Sequence, residues 1–286
     1  MWRSVLFVPV LEERFLAKAA ERGADAIVLD LEASIVAERK AEAREALPAA
    51  IERLASQGQD ILVRVNMLWR TALADLEMAV QPGVKAIVLP GCSSAEQITA
   101  VDGVMSELET ERGLMPDSVG LLPLIEFASG VVAAPEIAAA APRVIALTFG
   151  VEDYLADMET ASDRELLTMT ALSIAHAARA AGKLPMVVPE TLANLSDLEA
   201  FEAAARRGRA LGSVGGFAVH PNQVTVLNKV FSPTEEELTW AERVVAAAEE
   251  GEKSGRGAVS LDGRMIDLPI VLRAQKLLAR QRQSGA

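Results

Sequence analysis

Short apolar runs and longer amphipathic stretches alternate along the chain. The apolar runs are "SVLFVPV" (4–10), "AIVLDL" (26–31), "ILVRVN" (61–66), "AIVLP" (86–90), "VGLLPLIE" (119–126), "VIALTFG" (144–150), "LPMVVP" (184–189) and "GGFAVHP" (215–221). Between them lie Ala-, Glu- and Arg-rich stretches with helical periodicity, such as "VAERKAEAREALPAAIERLASQG" and "SIAHAARAAGK". Continuous apolar runs separated by helix-length segments predict parallel strands covered by helices on both faces. Gly23, Gly58, Gly113 and Gly182 stand where helix C-caps belong. Eight strand–helix units predict a closed (β/α)8 TIM barrel in the α/β class, because an open doubly wound sheet usually has about five or six strands. No Gly-x-Gly-x-x-Gly follows the first run and no Walker pattern occurs, so the dinucleotide and nucleoside-triphosphate folds lack their signatures.

The chain continues well past the eighth run. In "SPTEEELTWAERVV" Ser232 is placed as an N-cap, Pro233 at the first helical position and Glu235 three residues on from the cap. A Gly/Ser-rich joint follows, then a polar segment with apolar anchors (258–267) and a last helix. The expected division is a barrel core over 1–231 and a helical extension over 232–286. Such an extension caps the barrel, covers the active site as a lid, or packs on a neighbouring subunit.

Composition narrows the partners. The formal net charge of -12 disfavours nucleic acid and anionic membranes, which reward clustered Lys and Arg, but leaves an anionic small molecule open. Cys92 is the single cysteine, which excludes an internal disulfide and a thiolate zinc site. The first apolar run is short and lacks a cleavage pattern, and no run approaches membrane-spanning length. A cytoplasmic setting is expected.

Chemistry in a barrel sits at the C-terminal ends of the strands. The polar residues there are Asp30 and Glu32, Arg64 and Asn66, Glu126, Glu152 and Asp153, and His220 with Asn222 and Gln223. Glu126 and Asp153 follow neighbouring strands without a Lys or Arg beside them in sequence. Two carboxylates aimed into one pocket repel unless a cation lies between them, and a hard divalent ion such as Mg2+ suits that donor set. Each carboxylate alone could instead cap the helix that follows it. Arg64 cannot shed its charge and needs an anion. That anion is Asp30 or Glu32 from the adjacent strand, a substrate carboxylate, or a developing enolate. Cys92 reads as packing, and His176 as an ordinary helix residue.

With these residues in place, the chain resembles the citrate lyase beta-subunit-like family of CoA-ester lyases, within the HpcH/HpaI aldolase superfamily. The marks are "RSVLFVP" (3–9), "DAIVLDLE" (25–32), "VRVN" (63–66), "IEFASGV" (125–131), "FGVEDYLADM" (149–158), "AVHPNQV" (218–224), "FSPTEEELTWAERV" (231–244) and "LDGRMIDLPIV" (261–271). The resemblance implies Mg2+ on Glu126 and Asp153, with Arg64 on the keto or carboxylate end of the substrate. It implies reversible cleavage of a 3-hydroxyacyl-CoA, such as malyl-, citramalyl- or citryl-CoA, to an acyl-CoA and a 2-oxo acid or related fragment. It also implies a homotrimer or hexamer in which Asp267 is brought over the pocket, commonly from a neighbour. Asp267 is then a candidate general base, and Glu32 a candidate participant that holds a metal-bound water or orients Arg64. Val10, Ala33, Gly91 and Glu190 depart from the usual pattern of the family, which points to an altered substrate preference. Competing outcomes are thioester hydrolysis, aldol cleavage of free 2-oxo acids, and a non-catalytic subunit.

Overall fold

The computed structural model describes residues 2–253, 255 and 257–284. They form two compact units, Trp2–Lys229 and a second beginning at Val230. In the first unit the strands are β1 (Ser4–Pro9), β2 (Ala26–Asp30), β3 (Asp60–Arg64), β4 (Val84–Leu89), β5 (Gly120–Ile125), β6 (Ala146–Phe149), β7 (Leu184–Met186) and β8 (Gly216–Ala218). The helices between them are α1 (Glu13–Leu16), α2 (Lys40–Ser56), α3 (Trp69–Ala79), α4 (Ala95–Glu111), α5 (Ala128–Val132), α6 (Ala134–Ala139), α7 (Val151–Asp157), α8 (Arg164–Ala180) and α9 (Leu198–Ala210). Helix α10 (Pro221–Phe231) follows β8.

All eight strands are parallel, in the order β7-β6-β5-β4-β3-β2-β1-β8. The fold is the eight-stranded parallel barrel that the sequence predicts, near-closed where full closure is the expectation. Its seam lies between the short strands β7 and β8. There Val214 N–H donates to Pro185 O at 2.9 Å, and the buried Ser213 hydroxyl accepts from Val187 N–H at 2.9 Å. The four glycines expected at helix ends all have positive φ.

Side chains of one parity fill the barrel interior, including Val28, Leu62, Val88, Leu124 and Met186. Because strand side chains alternate, the residue two places further along lies one layer higher on the same face. Those residues are Asp30 after Val28, Arg64 after Leu62 and Glu126 after Leu124. The polar groups therefore form a layer directly above an apolar plug, at the catalytic end of a TIM barrel. The opposite end is fastened by buried Arg143, which donates to both oxygens of Glu109 on α4 and to Val119 O ahead of β5.

The second unit contains α11 (Glu235–Lys253), a hairpin of β9 (Val259–Leu261) and β10 (Arg264–Ile266), and α12 (Leu268–Ser284). Two expectations are corrected here. The capping residue of α11 is Thr234 rather than Ser232: Thr234 N–H donates to Glu237 Oε2 at 2.8 Å, and Glu237 N–H donates back to Thr234 Oγ1 at 3.2 Å. That reciprocal pair satisfies two helix-end donors at once, so it sets the start. The polar segment 258–267 is largely an antiparallel hairpin turning at Asp262–Gly263, both with positive φ, the conformation an Asp-Gly turn favours. Among the described residues no helix is long and apolar enough to cross a membrane.

Candidate active site

Strands β2 and β3 pair so that Asp30 lies directly beside Arg64. Arg64 Nε donates to Asp30 Oδ1 at 2.7 Å and Nη2 donates to Oδ2 at 2.9 Å, a two-pronged ion pair. Asp30 is 2% exposed and also accepts the Glu32 and Ser34 N–H groups at 3.0 Å each. Burial opposes its charge, yet Arg64 and these N–H groups hold the carboxyl below its ordinary range. Glu32 sits just beyond the end of β2, with Oε2 3.1 Å from Arg64 Nη1. Burial pushes its carboxyl upward, Asp30 and Asp153 add to that, and Arg64 opposes it. Arg64 thus pairs with both acids that the sequence offered, and its guanidinium lies 4.5 Å from the centre of the Phe7 ring. Three of its five N–H donors are committed, so donor capacity remains on Nη1 and Nη2.

A second ring of contacts holds this pair in place. Asn66 Nδ2 donates to Leu31 O at 2.9 Å and to Asp75 Oδ2 at 2.6 Å, and Asn66 N–H reaches the same oxygen at 2.8 Å. Lys40 Nζ donates to Leu31 O at 2.8 Å and to Glu32 O at 2.6 Å. The turn joining the two partners of Arg64 is therefore clamped from both sides. Asp75 and Lys40 escaped the sequence reading because both lie on helices, where single charges usually face water. A signal for Asp75 exists: it interrupts the buried stripe Ala72, Leu76 and Ala79 on α3.

Glu126 directly follows β5 and is 4% exposed. Gly91 N–H donates to its Oε1 at 2.6 Å. Gly91 has a φ of +65°, a left-handed conformation that favours glycine, and a Cβ there would displace the exposed Met67 side chain. Burial, reinforced by the charge of Asp153, pushes the Glu126 carboxyl up to about 8. Neither acid caps a helix. The N-cap of α5 is Phe127 and that of α7 is Gly150, neither of which makes a side-chain capping bond, and the first N–H of α5, that of Ala128, donates to Asp157 Oδ2 at 2.7 Å. Asp153 is exposed in the first turn of α7.

Asp30, Arg64, Glu126 and Asp153 line one cavity of about 790 Å³, together with Glu152, Glu190, His220 and Asn222. Ala33 and Ser34 also line it, while Val10 is buried. Among the described residues no group of three or more His, Cys, Asp or Glu could hold a metal ion. A site of two carboxylates suits a hard divalent cation that keeps several waters. Burial is the first cause of the raised Glu126 and the charge of Asp153 the second, against the opposing Gly91 N–H and Arg64, and a bound cation would favour the ionised form against both.

The remaining candidates are placed as follows. Asp267 lies in the second unit, where its carbonyl accepts the Ile270 and Val271 N–H groups at the start of α12. Its Oδ1 is buried without a hydrogen-bond partner among the described residues. His220 Nδ1 accepts the Asn222 N–H at 3.2 Å, and Gln223 Oε1 accepts the Val219 N–H at 2.9 Å. Glu190 accepts the Thr191 N–H at 3.1 Å. Cys92 is fully buried, donates to Leu89 O at 3.1 Å, and has its thiol pushed up by burial, so it is a packing residue. His176 is exposed on α8.

A model of the HpcH/HpaI aldolase/citrate lyase family matches residues 3–221. The chain is 34% identical to the citrate lyase subunit beta of Leuconostoc mesenteroides subsp. cremoris, over 96% of this chain and 92% of that protein. It is 31% identical to an L-malyl-CoA/beta-methylmalyl-CoA lyase of Cereibacter sphaeroides, over 99% of this chain and 96% of the relative. Among solved structures, protein CitE from Mycobacterium tuberculosis, in complex with magnesium, acetoacetate and coenzyme A, is 30% identical. The two superpose with a TM-score of 0.75 over 97% of each chain. With this match in sequence, fold and length, the chain belongs to the HpcH/HpaI aldolase/citrate lyase family.

Proposed function

We propose that this protein is a Mg2+-dependent carbon–carbon lyase that cleaves a 3-hydroxyacyl-CoA, of the malyl-, citramalyl- or citryl-CoA type, into an acyl-CoA and a 2-oxo acid or related fragment. The observation that carries the proposal is the setting of Glu126. It is a carboxylate fixed by the Gly91 N–H, raised first by burial and then by the charge of Asp153, and open to the same cavity as the Arg64–Asp30 pair. The magnesium and coenzyme A of the mycobacterial relative, and the activity named for the Cereibacter relative, support this assignment.

Held by Glu126 and Asp153, Mg2+ would supply Lewis acidity to the oxygens of the hydroxy or oxo acid. In cleavage the substrate hydroxyl loses its proton and the carbon–carbon bond beta to the thioester breaks. Its electron pair passes into the thioester as an enolate, and a proton returns to that carbon. Arg64 has donor capacity left to hold the acid's carboxylate or to offset the developing oxygen charge. Asp30 and Glu32 keep its plane oriented, so little reorganisation is needed when charge moves. Asp267, with one oxygen lacking a donor, is the proposed proton-transferring group. The C-terminal unit would then serve as the lid of a homotrimer or hexamer, and the lone buried Cys92 fits a cytoplasmic setting.

The test is a mass-spectrometric screen of CoA thioesters with Mg2+, scoring free CoA, shortened acyl-CoA and released 2-oxo acid together. Shortened acyl-CoA in step with 2-oxo acid is the expected result. Free CoA without 2-oxo acid would make the protein a thioesterase. Sedimentation velocity reads the assembly in the same preparations, and a monomer would remove the trimer.

A further inference from the structure

The cavity does not stop at the polar layer. It reaches Leu124 and Met186, which lie two residues before Glu126 and Val188 on their strands and hence one layer deeper. Phe7, Val88, Thr148 and Phe217 complete this floor. The Phe7 and Phe217 rings pack 5.3 Å apart, and the Arg64 guanidinium covers Phe7. Thr148 is the one polar side chain in the floor, and its hydroxyl donates to Met186 O at 3.0 Å. A TIM barrel interior is ordinarily filled by its own side chains. Here the top of that filled interior presents an uncharged, largely apolar surface to the cavity.

The tetrahedral carbon that becomes the keto carbon carries four groups: a carboxylate, a hydroxyl, the arm leading to the thioester, and one more substituent. The first two belong with Arg64 and the Glu126–Asp153 pair. The thioester arm must leave through the mouth, because coenzyme A, a long chain ending in a nucleotide, is too extended to be enclosed in a cavity of about 790 Å³. Three pinned groups fix the direction of the fourth, and the enclosed direction that remains is the floor. A carboxylate delivered there would lose its water, compete with the first carboxylate for the remaining donors of Arg64, and sit close to Glu126 and Asp30. An apolar group would gain burial.

We infer that the 2-oxo acid handled by this site carries an apolar alkyl or aryl substituent, received by the floor of Leu124, Met186, Phe7 and Phe217. This inference rests on the lyase function proposed above. It is tested in the condensation direction with the full-length protein, Mg2+, acetyl-CoA or propionyl-CoA, and a panel of 2-oxo acids. The panel comprises glyoxylate, pyruvate, 2-oxobutyrate, 2-oxoisovalerate, phenylpyruvate and oxaloacetate. The expected result is a kcat/KM that rises by about tenfold or more from glyoxylate to the preferred alkyl or aryl acid, the scale set by burying even one methylene, with oxaloacetate poorest. Glyoxylate or oxaloacetate as the best partner would overturn the inference while leaving the lyase intact. Calorimetric binding of the same acids reads the floor without turnover. The same order is expected there, and equal affinities across the panel would overturn the inference even if no acid condenses, an outcome that separately removes the lyase. Leu124→Phe fills the floor and should shift preference toward glyoxylate and pyruvate. Met186→Ala enlarges it and should shift preference toward phenylpyruvate. Unchanged profiles in both variants would place the substituent elsewhere.

Discussion

Gly150 leaves the space that the carboxylate of Glu126 occupies. A Cβ built on Gly150 would stand 2.7 Å from Glu126 Oε2 and 2.8 Å from its Cβ. Both are closer than real carbon contacts allow, so Gly150→Ala must push the carboxylate aside or distort the start of α7. Overpacking of this kind costs about 1–3 kcal/mol in stability. The larger effect falls on the cation site, where the Mg2+ concentration for half-maximal activity should rise about tenfold or more, as ligand-orienting changes do. Gly103→Ala, at a helical position where a Cβ meets nothing within 4 Å, is the control and should leave Mg2+ dependence unchanged. An unaltered Mg2+ titration in the Gly150 variant would detach this glycine from the site.

Glu126→Gln and Asp153→Asn each keep size and shape while removing one negative charge. Each should abolish Mg2+-dependent cleavage with the circular dichroism spectrum preserved. Near-normal turnover in either variant would remove that residue from the cation.

These residues were unequally legible before the structure. Strands buried on both faces read as unbroken aliphatic runs, so all eight were visible, and a charge ending such a run, as Glu126 does, stands out. For Arg64, strand adjacency offered Asp30 or Glu32 as one alternative beside a substrate anion, and the structure pairs it with both. Gly150 and Gly91 were opaque as supports for Glu126, because what a missing Cβ makes room for depends on an atom that arrives from another strand. Asp75 was opaque for a related reason: its partners Asn66 and Arg44 come from β3's end and from α2. In the tail, Ser232 and Thr234 were both chemically able to cap, and only the reciprocal contact of Glu237 with Thr234 decides between them. The Asp262–Gly263 hairpin turn was readable, yet its flanking strands are three residues each, too short to show alternation.

Arg64→Lys retains a positive charge but not the planar fork that meets both oxygens of Asp30. Lysine would leave one buried Asp30 oxygen short of a donor and present a misplaced charge to the substrate. The expected loss in kcat is about 100-fold or more, comparable to deleting one transition-state donor, with KM for Mg2+ little changed. A fall confined to substrate KM would assign Arg64 to ground-state binding alone.

Asp267→Asn should lower the rate while leaving the Mg2+ concentration dependence as it is, since the residue is proposed to move a proton rather than to hold the cation. Solvent hydrogen exchange into acetyl-CoA, read by NMR, isolates that step from bond cleavage and should slow in parallel. Metal affinity lost to the extent seen in the Glu126 variant would merge two roles that are kept separate here.

Proton and cation compete for Glu126. Its carboxyl titrates at about 8 against an ordinary 4.5, so between those values the folded protein keeps a proton that the unfolded chain has released. Raising the pH through that window therefore costs the cation-free fold stability, and the loss is complete once the folded group has also ionised. A divalent ion must displace the proton, so its apparent affinity rises with pH until Glu126 is ionised without help, and binding releases a proton below that point. Saturating Mg2+ should accordingly raise Tm more at about pH 8 than at about pH 6, because linkage favours binding to the ionised form. Calorimetry in buffers of different ionisation enthalpy should show close to one proton released per Mg2+ near pH 6, fading as the pH approaches 8. Glu126→Gln should remove both effects and raise the Tm of the cation-free protein at the alkaline end. A Tm gain from Mg2+ that is independent of pH in the native protein would show that the ion does not use Glu126.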